Sequence, residues 1–440
     1  MTHLLYCMKA ALLVTAAVLL PATTRAAGDA GAPVLATQPS VTKKEAELLK
    51  IVEGIAATNV NRAIVVLEGE DITKGSPALD FALGNFRFQA GLFDRAAEAY
   101  GRALEKMPKF RAASMNLGRV HLACEQRREA IEVFGSIVKA GMSDTDCLLL
   151  LGHALLLEEQ AVSAENAYRQ ALLLAPGNRD ALFGLAKCLF EQERHREGAG
   201  LLGELLARYP RDRQLWSLRA DTLIALDRTH DALVALECAK RMGCADAGML
   251  ATLGDLYLNV QRPADAVACY RVAFASEGPP AAGRLLRAVQ ALVQLEETGQ
   301  AAVLLSEAEE ARKARPRSFT EELDLEMLRL KAELTQQKGD LEAAMALYAR
   351  TLKKNPLDGR TMLLLGDLRR EKGRIEDAVM IYERAARIEG FEAEALIRQA
   401  QAEVERERYG RAVALLEAAQ AFKKQAHVAR YLDQLREMVR

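Results

Sequence analysis

Apolar and small residues recur along this chain at i, i+3, i+4 and i+7, as in Leu148, Leu151, Gly152 and Leu155, or Leu182, Leu185, Ala186 and Leu189. On a helix of 3.6 residues per turn these positions form one stripe, so the pattern predicts helices with one face turned inward. Breakers punctuate it. Pro108, Pro176, Pro210 and Pro356 cannot continue a helix, and Gly141, Gly243 and Gly278-Pro279-Pro280 serve where proline is missing. The chain therefore reads as short helices joined by tight turns.

A longer period lies over the helical one. Gly84, Gly118, Gly152, Ala186, Ala220 and Gly254 are spaced 34 residues apart, and Ala332, Gly366 and Ala400 resume the step. Ala332 follows Gly254 by 78 residues, two periods plus ten, so one repeat has lost its signature and gained an insertion. Residues 77–110 show the unit best, with Leu83-Gly84, Gly91, Phe93, Ala96, Tyr100, Ala103 and Pro108. It returns in Leu151-Gly152, Ala164, Tyr168, Ala171 and Pro176, and again in Leu365-Gly366, Gly373, Ala378, Tyr382 and Ala385. Counting Gly84 as position 8, Gly or Ala at positions 8 and 20 lets two antiparallel helices approach, and an aromatic at position 24 fills the wedge.

This unit closely resembles the tetratricopeptide repeat, a helix–turn–helix motif of the same period. The resemblance implies an all-α, right-handed solenoid of about ten hairpins, whose first helices (helix A) line an inner, concave surface. The expected division is a signal peptide over 1–26, a flexible leader over 27–41, an irregular helical cap over 42–76 and six repeats over 77–280. A degenerate repeat with an insertion follows over 281–324, then three repeats over 325–424 and a capping helix over 425–440. Terminal units of such arrays need a polar outer face. The insertion reads as a longer helix, a hinge or a docking feature, and Ser318 or Thr320 followed by acidic residues suits a helix start.

At the N-terminus, Lys9, the apolar run Ala10 to Leu20 and the small residues around Arg25-Ala26-Ala27 resemble a secretory signal peptide, with cleavage expected after Ala26 or Ala27. Eleven apolar residues fall short of the roughly 20 that span a bilayer, so no stable membrane span is expected after cleavage. The expected destination is outside the cytoplasm, periplasmic or secreted. Net charge is −1 for the whole chain. Removing residues 1–26 takes away Lys9 and Arg25 and leaves −3, so no nucleic-acid partner is indicated.

Six cysteines remain after cleavage, and Cys238 with Cys244 is the local candidate for a bridge; buried free thiols are the simpler reading. No CxxC or zinc-spaced cluster is present, so neither a metal nor another cofactor is expected. His121, His153, His195, His230 and His427 fall in different repeats, and no catalytic motif accompanies them, so no catalytic residue is assigned.

By the same resemblance, helix A presents positions 2, 5, 9, 12 and 13 to the inner surface. Positions 5 and 12 hold Phe81 and Phe88, Met115 and Leu122, Leu149 and Leu156, and Phe183 and Phe190, so the N-terminal groove is expected to be apolar. Position 9 holds Asn85, Arg119, His153 and Lys187, then turns acidic at Asp221, Asp255, Glu333 and Asp367. In the last repeats Arg329, Gln336, Leu363 and Arg370 make the surface more mixed. These twelve N-terminal residues are the expected site for a protein or peptide segment with apolar anchors. The expected function is a non-enzymatic interaction adaptor of the cell envelope. The alternatives are a structural subunit of a secretion, pilus or outer-membrane assembly machine and, as a minor reading, a repeat-bearing enzyme or nucleic-acid binder.

Overall fold

The computed structural model describes residues 38–70, 72–276, 282–314, 316 and 319–439. The signal-peptide segment, most of the leader, Gly278-Pro279-Pro280 and Ser318 lie outside them. Every described element is helical, and the chain divides into two compact units, Met1–Arg228 and Thr229–Arg440.

In the first unit the order is α1 (Lys43–Ala56), α2 (Val60–Glu68), α3 (Pro77–Gln89), α4 (Phe93–Lys106), α5 (Arg111–Ala123), α6 (Arg127–Lys139), α7 (Thr145–Leu157), α8 (Ala161–Leu174), α9 (Arg179–Glu191), α10 (His195–Arg208) and α11 (Arg213–Ala225). A short 3-10 turn, Ile72–Lys74, precedes α3. The second unit holds α12 (Thr229–Arg241), α13 (Ala247–Asn259), α14 (Pro263–Ser276), α15 (Ala282–Gln294), α16 (Thr298–Ala314), α17 (Glu321–Gln337), α18 (Leu341–Lys354), α19 (Gly359–Glu371), α20 (Ile375–Ala385), α21 (Glu392–Glu405), α22 (Tyr409–Phe422) and α23 (Ala426–Val439). Within each unit consecutive helices pack as hairpins, and each hairpin stacks on the next.

The seam inside each hairpin explains the small residue at position 8. A Cβ added at Gly84 would lie 2.5 Å from the Tyr100 ring, one at Gly118 2.5 Å from Phe134, and one at Gly254 2.7 Å from Tyr270. It is thus the position-24 ring of the partner helix, rather than an approach of two backbones, that excludes a side chain here. The rule holds along the chain as a covariation. Glycine faces an aromatic at Gly84/Tyr100, Gly118/Phe134, Gly152/Tyr168, Gly254/Tyr270 and Gly366/Tyr382, while alanine and leucine share a core at Ala186/Leu202 and Ala400/Leu416. Ala332 with Tyr348 is the exception. The position-24 side chains are buried throughout.

One hairpin departs from the apolar stripe: position 4 of α3 is Asp80, fully buried. Arg102 Nε reaches its Oδ1 at 2.9 Å and Lys106 Nζ its Oδ2 at 2.5 Å, both from α4. Lys106 also donates to the carbonyl of Ile72 at 2.8 Å, tying the N-terminal cap to this hairpin. Glu45 makes a second tie. It closes a capping box with Thr42 and accepts the Ser76 N–H at 2.6 Å. Most of the insertion lengthens helices: α16 and α17 each run 17 residues, and Thr320 caps α17 through the Leu323 N–H. At the C-terminal end Val428, Leu432 and Leu435 of α23 are buried against Ala412 and Leu416.

The turn from helix A to helix B carries a strain the sequence pattern does not show. Gly91, Gly339 and Gly373 take positive φ there, but at the same place Glu125, Glu159, Glu193, Asp227, Gln261, Glu296 and Glu407 do so with φ between 56° and 59°. A side chain in this left-handed region costs about 1–2 kcal/mol, partly offset by the smaller entropy it loses on folding. Glu125→Gly, Glu159→Gly and Glu193→Gly are therefore each expected to raise stability by about 0.5–1 kcal/mol. Chemical denaturation followed by the fluorescence of the single tryptophan, Trp216, checks this, since Trp216 lies in the first unit.

A buried carboxylate sets an acid limit on the same unit. Burial alone would raise Glu165, but hydrogen bonds from Gln192 and Arg194 and the charges of Arg169 and Arg194 outweigh it and hold the carboxyl below its ordinary 4.5. A group whose folded pKa is depressed stabilises the fold above the unfolded pKa and ceases to do so as pH falls through the folded value. The first unit is therefore expected to lose stability as pH drops below 4.5, and Glu165→Gln to flatten that part of the profile while lowering stability at neutral pH. Urea midpoints between neutral pH and the acid range read both effects.

Candidate functional site

Helices α3, α5, α7 and α9 are the first helices of four consecutive hairpins, and each touches the next in the series. Their positions 5, 9 and 12 come from adjacent turns of each helix and so form one continuous face. Eleven of the twelve residues expected there are half-buried: Phe81, Asn85, Phe88, Arg119, Leu122, Leu149, His153, Leu156, Phe183, Lys187 and Phe190. The twelfth departs from the expectation. Met115 is only 4% exposed and packs with Phe134 and Ile137, so it belongs to the core of its hairpin rather than to an open surface.

The four phenylalanines sit on the core without being sealed in it. Phe81 packs against Tyr100 and Phe110, with ring centroids 5.9 and 4.9 Å away, and Phe88 meets Phe93 edge-on at 5.5 Å. Phe190 lies 5.1 Å from the His195 ring. Phe183 carries two cations on its face, Arg179 at 4.9 Å and Lys187 at 5.4 Å from the ring centroid. These contacts fix the rings in place and leave part of each uncovered, the arrangement that pre-organises an apolar surface.

Polar groups run along the middle of this face. Asn85 Oδ1 accepts from the Tyr100 hydroxyl and from Asn116 Nδ2, both at 2.8 Å, and Asn116 Oδ1 accepts from Arg119 at 3.0 Å. Arg119 and Lys187 have no carboxylate partner among the described residues. Arg179 does: Asp212 and Asp180 pair with it.

The corresponding face of the second unit is built differently. Asp255 accepts the Tyr270 hydroxyl and pairs with Arg284, while Asp367 accepts the Tyr382 hydroxyl at 2.7 Å and pairs with Arg398. Glu333 lies between Arg360 at 3.6 Å and Arg329 at 3.9 Å, and burial pushes its carboxyl up. A pocket of about 460 Å³ opens beside Ile397, Arg398 and Gln401, but Arg398 is taken by Asp367 and Glu394 and Arg370 by Glu405. Each position-9 acid of this unit is thus met by an arginine from the following hairpin or its own helix. The sequence shows the acids and arginines, yet pairs about 30 residues apart carry no local signal.

The six cysteines are free thiols; burial raises Cys147 to about 11 and Cys188 to about 12. Among the described residues no group of three or more His, Cys, Asp or Glu side chains is placed to hold a metal, and no helix is long and apolar enough to cross a membrane.

Hairpins of this length, stacked through a small-residue and aromatic seam, define a helical-repeat protein whose first helices share one face. Family models of the tetratricopeptide repeat match residues 87–153, 155–222 and 329–391, so the chain carries tetratricopeptide repeats over these stretches. No curated protein sequence matches it. Among solved structures it is similar to a tetratricopeptide repeat protein from Parabacteroides merdae ATCC 43184, at 17% identity over 53% of this chain and 93% of that one, with a TM-score of 0.44. It is also similar to YrrB, described as a TPR protein with an unusual peptide-binding site, at 22% identity over 42% of this chain and 93% of that one, TM-score 0.35. A third likeness, to the APC/C hetero-tetramer Cut9-Hcn1, spans 88% of this chain and 89% of that one at 12% identity and a TM-score of 0.34.

Proposed function

We propose that the protein is an interaction adaptor that docks a segment of a partner protein on the face formed by α3, α5, α7 and α9. Tetratricopeptide repeats are protein-interaction modules. The observation that carries the finer reading is the half-burial of Phe81, Phe88, Phe183 and Phe190, held by their neighbours yet open on one side. Each such side chain covered by a ligand contributes roughly 1.5–3 kcal/mol before ordering costs, so three or four suffice for a micromolar complex.

The signal-peptide pattern of residues 1–26 supports a location in the cell envelope or outside the cell, with membership of an envelope complex as the proposed role. The test of the groove is recovery of partners from envelope extract by the wild type and by Phe88→Asp with Phe190→Asp. The double variant is expected to keep its helical content and lose the partners that the wild type holds. Equal recovery by both proteins would remove the groove from the account.

A further inference from the structure

The face of the first unit carries two cations, Arg119 and Lys187, that have no carboxylate partner among the described residues, whereas the position-9 acids of the second unit are answered by arginines. Lys187 is half-buried, beside the Phe183 ring, and Arg119 is half-buried and donates to the amide oxygen of Asn116. A positive charge in an apolar wall, with its water partly removed, attracts an anion more strongly than one free in solvent. Within the row the one acid is Asp221, on α11 beyond Lys187, and the other acids of these helices stand at their ends. Asp146 and Asp180 stand in the first turns of α7 and α9, the latter paired with Arg179, and Glu191 is the last residue of α9.

We infer that the docked segment is acidic as well as apolar, and that it places one carboxylate at Lys187 and a second at Arg119, with apolar side chains between them over Leu149 and Leu156. This deepens the groove reading and rests on it. The two cations sit on α5 and α9 with α7 between, two interhelix steps of about 8–10 Å each, or about 16–20 Å across the face. An extended chain advances about 3.3 Å per residue, so the two carboxylates are about five or six residues apart in sequence. Asp221 at position 9 of α11 ends the row with the opposite sign, which sets the direction in which the segment lies.

The experiment uses the full chain and fluorescein-labelled synthetic peptides in which two glutamates flank leucine and phenylalanine at graded spacings, each with a glutamine counterpart, read by fluorescence anisotropy. The wild type is expected to bind the glutamate peptide of about five- or six-residue spacing about tenfold more tightly than its glutamine counterpart. Lys187→Gln and Arg119→Gln should each abolish most of that preference, added salt should reduce it, and Lys187→Arg should restore it. Equal affinity for the glutamate and glutamine peptides, or no binding at any spacing, would overturn the inference. Binding of either peptide by Phe88→Asp with Phe190→Asp at wild-type strength would instead overturn the groove itself, so the two failures are distinct.

Discussion

Replacing Phe134 by alanine is expected to destabilise the first unit by about 3–5 kcal/mol, the cost of emptying a fully buried aromatic site in a core that relaxes only in part. Phe134 is 0% exposed and its ring lies against Gly118, where an added Cβ would meet it at 2.5 Å. Gly118→Ala is expected to be unfavourable beside the native phenylalanine, since overpacking of about 1–3 kcal/mol exceeds the roughly 1 kcal/mol alanine gains in a helix. The combination Gly118→Ala with Phe134→Leu recreates the alanine–leucine pair found at Ala186/Leu202 and Ala400/Leu416. It should therefore cost less than the sum of its parts by about 1–2 kcal/mol, a coupling expected of residues in contact. Denaturation followed through Trp216 measures all three variants, and strict additivity would show that the seam is not one interlocking unit.

The second large effect is at Asp80. Removing its carboxylate by Asp80→Ala leaves Arg102 and Lys106 without their shared partner, and breaking a buried ion pair on one side costs about 3–5 kcal/mol. The loss extends beyond the charges. Lys106 also holds the Ile72 carbonyl, so freeing it loosens the cap formed by α1 and α2 from the first hairpin. Hydrogen exchange in α1 and α2 should quicken together with the fall in stability, and Asp80→Asn, which keeps one acceptor, should show a smaller change in both. An unaltered exchange pattern in the cap would mean that Glu45 and Ser76 hold it without this link.

The 34-residue step made the hairpins legible, because small residues and prolines recur at fixed places for local steric reasons. The acidic turn residues were not legible. Nothing about glutamate at 125, 159 or 193 signals positive φ, and only the neighbouring Gly91, Gly339 and Gly373 hint at it. Asp80 broke the apolar stripe without announcing its partners, since Arg102 and Lys106 lie on the next helix. For the candidate face, helical phase sufficed to collect Phe81, Phe88, Phe183 and Phe190, but not to foresee that Met115 turns into the core beside Phe134. The counter-charges of the second unit escaped the sequence for the same reason: Asp255 with Arg284 and Asp367 with Arg398 are brought together only by stacking.

The most direct measurement of the central claim is site-specific photo-crosslinking in the cell that makes the protein, with a photoreactive phenylalanine at 88 or 190 on the shared face, or at 173 on the outer side of α8, where Leu173 is 82% exposed. The account predicts one discrete partner captured from positions 88 and 190 and none from 173. Capture from 173 with nothing from 88 or 190 would contradict it.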